Sequence, residues 1–247
     1  MNSHKDYYLD NVEYTRFLES QDIASFRKYA DFIMKFSSDG DRILDVGCGT
    51  GQALGLLKQA GVDREITGID VSNSSVGLCE KRGVNCQAYD GKRIPFDDDS
   101  FNLVGSFNVL EHAESPEGYL EEILRVTKWG GHLLVACPNF LAITNSYHHH
   151  TKGVVQKIRN LGDILSKKSG HNLGFEKMEV VIREEIQPDD DACNVTNPVD
   201  ILDWSGKNGL EIKFWSSQSG YRKGIVNYLD VSFLRLFLGS SFFVFKK

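Results

Sequence analysis

The chain has 247 residues, of which 41% are hydrophobic and 25% are charged. This composition is ordinary for a globular protein and excludes a fibrous or an intrinsically disordered chain. The formal net charge of −6 argues against a general nucleic-acid-binding surface, because such a surface needs an excess of lysine and arginine.

Residues 11 to 36 carry apolar side chains near helical spacing, among them Phe26, Tyr29 and Ile33. This pattern predicts one or two leading helices. Two interpretations remain open at this point. The helices could lie over a ligand pocket and shape it, or they could simply cap a sheet, since helix packing alone explains the periodicity.

A strand, a glycine-rich loop and a helix are predicted next. Residues 43 to 46 read as a buried strand that carries the carboxylate of Asp45. Alternate glycines let a backbone turn sharply against a ligand, and three follow here: Gly47, Gly49 and Gly51. Residues 52 to 60 predict the helix, and a glycine loop leading into a helix N-terminus is typical of nucleotide sites. Gln52 stands where the dinucleotide fingerprint needs its third glycine.

Polar residues also follow the next predicted strands, and four such positions should lie along one edge of a parallel sheet: Asp45, Asp70, Asp90 and Asn108. The carboxylate of Asp70 could accept hydrogen bonds from two ribose hydroxyls, and Val71 could lie against a base. Asp90 offers a further hydrogen-bond acceptor at this edge, and the amide of Gly91 offers a donor.

Several segments between residues 40 and 138 resemble, in the correct order, the motifs of class I S-adenosylmethionine-dependent methyltransferases, in particular the type 11 small-molecule methyltransferases. The segments are Asp45-Val46-Gly47-Cys48-Gly49-Thr50-Gly51, the acid Asp70, the run from Ile94 to Val104, Val109-Leu110-Glu111-His112, and the run from Arg125 to Val135.

The resemblance implies an α/β fold: a Rossmann-like, doubly wound, mostly parallel seven-stranded sheet with an antiparallel last strand. From 39 to 138, strand and helix patterns alternate and predict five βα steps. Later, residues 198 to 208 predict a helix, and 210 to 215 and 242 to 245 predict strands. We expect one domain, 1–247, with four parts: leading helices (1–38), a cofactor-binding half (39–139), an inserted acceptor or lid segment (140–196) and the completion of the sheet (197–247).

The resemblance also implies S-adenosyl-L-methionine as the cofactor. Asp45 and the loop would then hold its methionine part, Asp70 and Val71 its ribose and adenine, and Asp90 and Gly91 its base. The complete predicted cofactor-binding set is Asp45, Gly47, Cys48, Gly49, Gly51, Asp70, Val71, Asp90, Gly91 and Asn108.

His112 is the predicted general base for an acceptor hydroxyl. The alternative is a residue that only packs at a helix start. Asn108-x-x-Glu111-His112 resembles the E-x-x-E-H cluster of metal-assisted quinone-biosynthesis O-methyltransferases, but Asn108 replaces the first glutamate, so we predict no metal site.

The inserted segment, residues 140–196, is expected to determine which acceptor binds. Residues 152 to 168 predict a basic amphipathic helix, which could attract a phosphate-bearing acceptor or simply present a solvated face. The histidines from His148 to His150 could bind a metal or supply a catalytic imidazole, but a surface loop is favoured because adjacent side chains point apart. The acids from Asp189 to Asp191 could bind a cation or sugar hydroxyls, or could simply be hydrated.

Methyl transfer to a small-molecule acceptor, such as a saccharide or nucleotide sugar, by direct in-line attack is the predicted function. The alternatives are a non-catalytic S-adenosylmethionine-binding or scaffold protein and, with less support, an NAD(P)-dependent oxidoreductase. We expect a monomer or homodimer that does not bind nucleic acid.

The five cysteines include no C-x-x-C pair, which favours reduced thiols: Cys48, Cys79, Cys86, Cys137 and Cys193. The first residues lack the apolar core of a signal peptide, and no uncharged run is long enough to span a bilayer. We therefore expect a cytoplasmic protein. The apolar residues from 225 to 238 could touch a membrane surface, pack on the sheet or form a dimer interface.

Overall fold

The computed structural model describes residues 11–61, 63–140, 191–217 and 239–247, together with residues 8, 142, 155, 158, 175, 177, 178 and 180. The chain folds as two compact units. The first unit comprises Met1–Phe107, Gly118–Leu134 and Lys247, and the second comprises Asn108–Glu117 and Val135–Lys246.

Two leading helices confirm the expectation for residues 11 to 36. They are α1 (Val12–Ser20) and α2 (Ile23–Lys35). The side chain of Asn11 accepts hydrogen bonds from the amides of Glu13 and Tyr14, and this satisfies two of the free donors at the start of α1. Asp22 caps α2 in the same way, through the amide of Ala24.

The first unit contains four parallel strands, β1 (Arg42–Val46), β2 (Glu65–Asp70), β3 (Cys86–Ala88) and β4 (Phe101–Phe107), with helices α3 (Gln52–Gln59) and α4 (Asn73–Lys81) between the first three. In the register of the sheet, Asp45 lies beside Gly68 on one side and Gly105 on the other. The prediction of five βα steps was wrong in one connection: residues 89 to 100 between β3 and β4 form turns and bends rather than a helix. Their proline and cluster of aspartates disfavour one.

The remaining elements are a 3₁₀ turn (Leu110–His112), α5 (Pro116–Val126), β5 (Thr127–Cys137), α6 (Pro198–Lys207), β6 (Glu211–Ser216) and β7 (Ser241–Lys246). The seven strands form one sheet in the order β3-β2-β1-β4-β5-β7-β6. The strands β6 and β7 pair antiparallel. The predicted seven-stranded α/β fold with an antiparallel last strand is therefore confirmed, as are the helix after Asn197 and the two final strands.

Each unit has its own buried apolar residues. In the first unit the strand residues Ile43, Leu44 and Leu103 are fully buried with Ile33 of α2 and Leu57 of α3. In the second unit a smaller cluster joins Phe140, Ala192 and Val195, with Met178 packed against it. The second cluster fixes the described part of the insertion, residues 191 to 197, within its own unit.

Three predicted segments lie largely outside the described residues: the histidines 148 to 150, the basic helix 152 to 168 and the apolar run 225 to 238. Within the basic segment, Val155 and Ile158 are helical, and they are 75% and 62% exposed. None of the described helices combines the length and apolar character needed to cross a membrane.

Candidate cofactor and acceptor site

Asp45 is a buried carboxylate near the end of β1, and the hydroxyl of Tyr29 donates a hydrogen bond of 2.7 Å to it. Tyr29 comes from α2 and stacks on Phe107 with ring centroids 5.0 Å apart. A Cβ at Gly105 would lie 2.1 Å from the tyrosine oxygen, so only glycine leaves room for this contact. Burial, only partly offset by the hydrogen bond, raises the pKa of Asp45 to about 7.

The glycine loop after β1 has the backbone that its sequence predicts. Gly47, Gly49 and Gly51 all have positive φ, at 76°, 53° and 76°, a region that residues with a Cβ rarely adopt. The amides of Gly47 and Cys48 donate to the carbonyl of Ile69 at 2.8 and 3.0 Å. Gly51 precedes α3, and no side chain caps this helix. The loop therefore presents a helix N-terminus to a ligand.

Asp70 ties the loop to the end of β2. One carboxylate oxygen accepts the amide of Gly49 at 2.8 Å, and the other accepts the amide of Ser72 at 2.9 Å. A carboxylate has about four acceptor positions, so these two bonds leave capacity for ribose hydroxyls. Burial raises the pKa of Asp70 to about 6, although the two amides pull it down.

The residues predicted to contact the base, Asp90 and Gly91, lie beside Val71. A Cβ at Gly91 would lie 3.0 Å from a methyl group of Val71, so the two residues pack together. Asp90 is exposed, and one of its oxygens accepts the amides of Lys92 and Arg93 at 2.8 and 2.9 Å. These contacts fix the turn after β3 and place its carboxylate at the same strand edge as Asp70.

Helix α1 lies directly on the glycine loop. The side chain of Gln52 donates a 2.7 Å hydrogen bond to the carbonyl of Leu18. Leu18 itself reaches within 3.4 Å of where a Cβ on Gly49 would stand. The hydroxyls of Thr15 and Ser74 are 3.0 Å apart, which joins α1 to α4. Of the two interpretations of the leading helices, these contacts favour the one in which α1 covers the predicted pocket.

The second unit contains the other predicted residues, Asn108 and His112. Asn108 follows β4 with φ of 55°, and its amide donates to the carbonyl of Ala136 at 2.8 Å. His112 lies between two buried carboxylates. One imidazole nitrogen is 3.7 Å from Glu111, and the other is 3.7 Å from Asp191.

Asn194 holds the turn that carries His112. Its fully buried side-chain amide donates to the carbonyls of Leu110, Glu111 and Ala113 at 3.3, 3.1 and 2.8 Å. The backbone amides of Cys193 and Asn194 also donate to the carbonyl of Glu111. Residues 191 to 194 thus fix the 3₁₀ turn and supply Asp191 to the histidine.

Comparison with known proteins gives a family match for the first part of the chain. Residues 44–135 match the model of the type 11 family described as "Methyltransferase domain". The chain is 32% identical to a ubiquinone/menaquinone biosynthesis C-methyltransferase of Geotalea daltonii, over 60% of this chain and 66% of that protein. It is 34% identical to a phthiotriol/phenolphthiotriol dimycocerosates methyltransferase of Mycobacterium leprae, over 39% of this chain and 37% of that protein. These matches support a class I S-adenosylmethionine-dependent methyltransferase.

The fold of a solved structure agrees with the family. An S-adenosylmethionine-dependent methyltransferase from Mesorhizobium loti superposes with a TM-score of 0.55 at 15% identity, over 85% of this chain and 92% of that one. The alignments span 37% and 66% of the two curated relatives' own lengths.

S-adenosylmethionine is the cofactor of this family, and the first unit has the features that it needs. The uncapped start of α3 and the three left-handed glycines allow close backbone approach to the methionine part. Asp45 offers a buried carboxyl group for its amino group, and Asp70 keeps acceptor capacity for its ribose. The individual roles of these residues stay predictions.

Sequence reasoning missed three residues of the two units: Tyr29, Asp191 and Asn194. Tyr29 was interpreted only as an apolar residue of a helix, because helical periodicity does not indicate which carboxylate the tyrosine hydroxyl contacts. Asp191 read as one of three adjacent loop acids. Asn194 had no recognisable signal, since its contacts lie more than 80 residues away in the chain.

Proposed function

We propose that this protein transfers the methyl group of S-adenosylmethionine to a hydroxyl of a small-molecule acceptor, with His112 as the general base. One observation carries the proposal: the imidazole of His112 lies 3.7 Å from the carboxylates of both Glu111 and Asp191. An unactivated hydroxyl needs a base when its oxygen is alkylated, and an imidazole is the usual one. The side chain of His112 is 14% exposed, so an acceptor can reach it.

When bound, the cofactor supplies a methyl group that its sulfonium already makes electrophilic. The residues of the chain then have to align the donor with the acceptor, exclude water from both, and remove the proton of the acceptor hydroxyl. Asp45 and Asp70 orient the donor from β1 and β2, and His112 takes the proton of the acceptor hydroxyl as the carbon–oxygen bond forms. Glu111 and Asp191 stabilise the positive charge that the imidazole acquires. Direct in-line attack needs no covalent enzyme intermediate.

A saccharide or nucleotide sugar is the first candidate acceptor. The chain has no excess of basic residues and no separate nucleic-acid-binding module, and the basic residues between 152 and 168 would suit a phosphate-bearing small molecule. A quinone-like or lipid-like acceptor is the second candidate. It is favoured by the names of the two curated relatives and by the exposed apolar side chains of Val155 and Ile158.

The test is methyl transfer from labelled S-adenosylmethionine to a panel of nucleotide sugars, quinols and phenolic lipids. We expect turnover with one class and a loss of at least about 100-fold in kcat for His112→Gln, with the affinity for S-adenosylhomocysteine nearly unchanged. His132→Gln is the matched control, because its ring contacts Phe36 in the first unit and should leave kcat intact.

The alternatives give different results in the same assay. Tight binding of S-adenosylhomocysteine without turnover on any acceptor class would favour a non-catalytic binding or scaffold protein. Uptake of a nicotinamide dinucleotide instead would favour an oxidoreductase. Unchanged kcat in His112→Gln, with an acceptor that is turned over, would remove the base from the mechanism.

A further inference from the structure

Three cysteines from three different elements meet beneath the glycine loop. Cys48 lies in the loop, Cys79 on α4 and Cys86 on β3, and their sulfur atoms all lie within 4.8 Å of one another. The sulfurs of Cys48 and Cys86 are 3.7 Å apart. Cys48 and Cys79 are buried, whereas Cys86 is partly exposed.

Two glycines leave the space that two of these sulfurs occupy. A Cβ at Gly68 of β2 would lie 2.7 Å from the sulfur of Cys48, and a Cβ at Gly51 would lie 2.9 Å from the sulfur of Cys79. Any larger residue at either position would push a thiol out of the group. The backbone therefore holds two of the three donors together before any ligand binds, and this reduces the conformational cost of binding one.

The distances suit one metal ion. A thiolate ligand lies about 2.3 Å from a bound zinc ion, so sulfurs that share such an ion are about 3.8 to 4.0 Å apart. The observed separations need only small side-chain adjustments to reach this range. Thiolates are soft ligands that select thiophilic ions such as Cu(I) and zinc.

The number of donors distinguishes between these ions. In the described residues the group contains three ligands, all sulfur, whereas structural zinc sites nearly always have four. Cu(I) has a filled d shell and accepts three thiolates in a plane. Arg82 lies close enough to Cys79 to interact with it electrostatically, and its positive charge partly compensates an anionic three-thiolate complex.

We infer that Cys48, Cys79 and Cys86 form a three-thiolate binding site for a thiophilic monovalent ion, with Cu(I) as its ligand. Binding displaces the thiol protons, which pass to solvent, and forms three sulfur–metal bonds without any change of oxidation state. Because Cys48 is part of the loop from Gly47 to Gly51, the ion would lie directly behind the predicted cofactor cradle. The inference does not depend on the acceptor or on methyl transfer.

The test uses the reduced full-length protein under anaerobic conditions, with Cu(I) supplied from a competing chromogenic chelator. We expect one equivalent to bind tightly, and X-ray absorption at the copper edge to show three sulfur neighbours. Cys79→Ser and Cys86→Ser should each lower the affinity by at least about 100-fold, because even residues that only support metal ligands often cost 10 to 100-fold.

Cys193→Ser is the matched control, since Cys193 is also partly buried but lies in the second unit. It should keep full Cu(I) affinity. Circular dichroism of each variant verifies folding, and Cys86→Ser, at the partly exposed position, should fold even where Cys79→Ser does not. Unchanged affinity in a folded Cys86→Ser variant, or an equal loss in Cys193→Ser, would overturn the site. Two sulfur neighbours at the copper edge would do so as well.

Discussion

At the scale of single residues, the carboxylate of Asp70 accepts the amides of Gly49 and Ser72 and is predicted to hold the ribose as well. Asp70→Asn keeps one acceptor oxygen but loses the charge. We expect S-adenosylhomocysteine to bind at least about tenfold more weakly, which corresponds to about 1.4 kcal/mol. Isothermal titration calorimetry measures this directly.

The control for Asp70 is Asp97→Asn, because Asp97 is an exposed acid in the turn before β4. Its affinity for S-adenosylhomocysteine should equal that of the unmodified protein. If Asp70→Asn binds equally well while its circular dichroism is native, the ribose contact assigned to Asp70 is wrong.

Asp45 makes the free energy of unfolding depend on pH, and the direction of this dependence follows from the burial of its carboxyl group. Its pKa is about 7 in the folded chain and about 4 when unfolded, so the native state binds the proton more tightly. The resulting stabilisation is present below pH 4 and is lost as the pH rises to 7. Asp70, with a pKa of about 6, contributes in the same direction. We expect the free energy of unfolding without cofactor to fall over this window.

Substitutions at Asp45 and Tyr29 separate the contribution of Asp45 to this pH dependence from that of Asp70. Asp45→Asn should reduce the fall in urea-unfolding free energy between pH 4 and 7 but not abolish it, since Asp70 still titrates. Tyr29→Phe removes the bond that holds the pKa of Asp45 down, so the fall should extend above pH 7. Identical pH profiles for Tyr29→Phe and the unmodified protein would contradict the assigned contact.

At the scale of elements, the turn that carries His112 is held by a segment distant in sequence. Asn194→Ala removes one amide that donates to three carbonyls, all in a buried environment. We expect a loss of about 2 to 4 kcal/mol in unfolding free energy and a fall in kcat that exceeds any change in cofactor affinity. Chemical denaturation and steady-state kinetics provide the two measurements.

Asn208→Ala provides the comparison, because within the described part of the chain this side chain donates one hydrogen bond, to the carbonyl of Trp204 at the end of α6. It should cost less than about 1 kcal/mol and leave kcat unchanged. Equal effects of the two alanine variants on stability and on kcat would show that the 3₁₀ turn does not depend on Asn194.

Elements with a strong local signal were predictable from the sequence. The sharp turn after β1 was predictable from Gly47, Gly49 and Gly51, because glycine is the residue type that readily adopts the left-handed backbone conformations found there. The strand ends that place Asp45 and Asp70 followed from periodicity. The hydrogen bond between Tyr29 and Asp45 did not, since the packing of helix α2 brings the two residues together. The prediction also assumed a helix after every strand, whereas turns and bends connect β3 to β4.

At the scale of the whole molecule, the last strand of the chain is not the last strand of the sheet. The sheet order places β7 between β5 and β6, and Phe242, Phe243, Val244 and Phe245 are all fully buried. In the described residues, strand β6 is therefore joined to the rest of the sheet through β7. This topology gives the C-terminal residues an influence on stability that their position in the chain does not suggest.

Val244 and Ile212 test that influence as a matched pair of aliphatic residues on the paired strands β7 and β6. Val244 is fully buried, whereas Ile212 is 47% exposed. Val244→Asp would bury a charge without a partner and should cost more than about 4 kcal/mol, enough to unfold a marginally stable chain. Ile212→Asp should cost about 1 kcal/mol or less, because a carboxylate at this half-exposed position can reach water. Thermal unfolding with and without S-adenosylhomocysteine measures both, and a Val244→Asp variant as stable as Ile212→Asp would place β7 at an exposed edge rather than within the sheet.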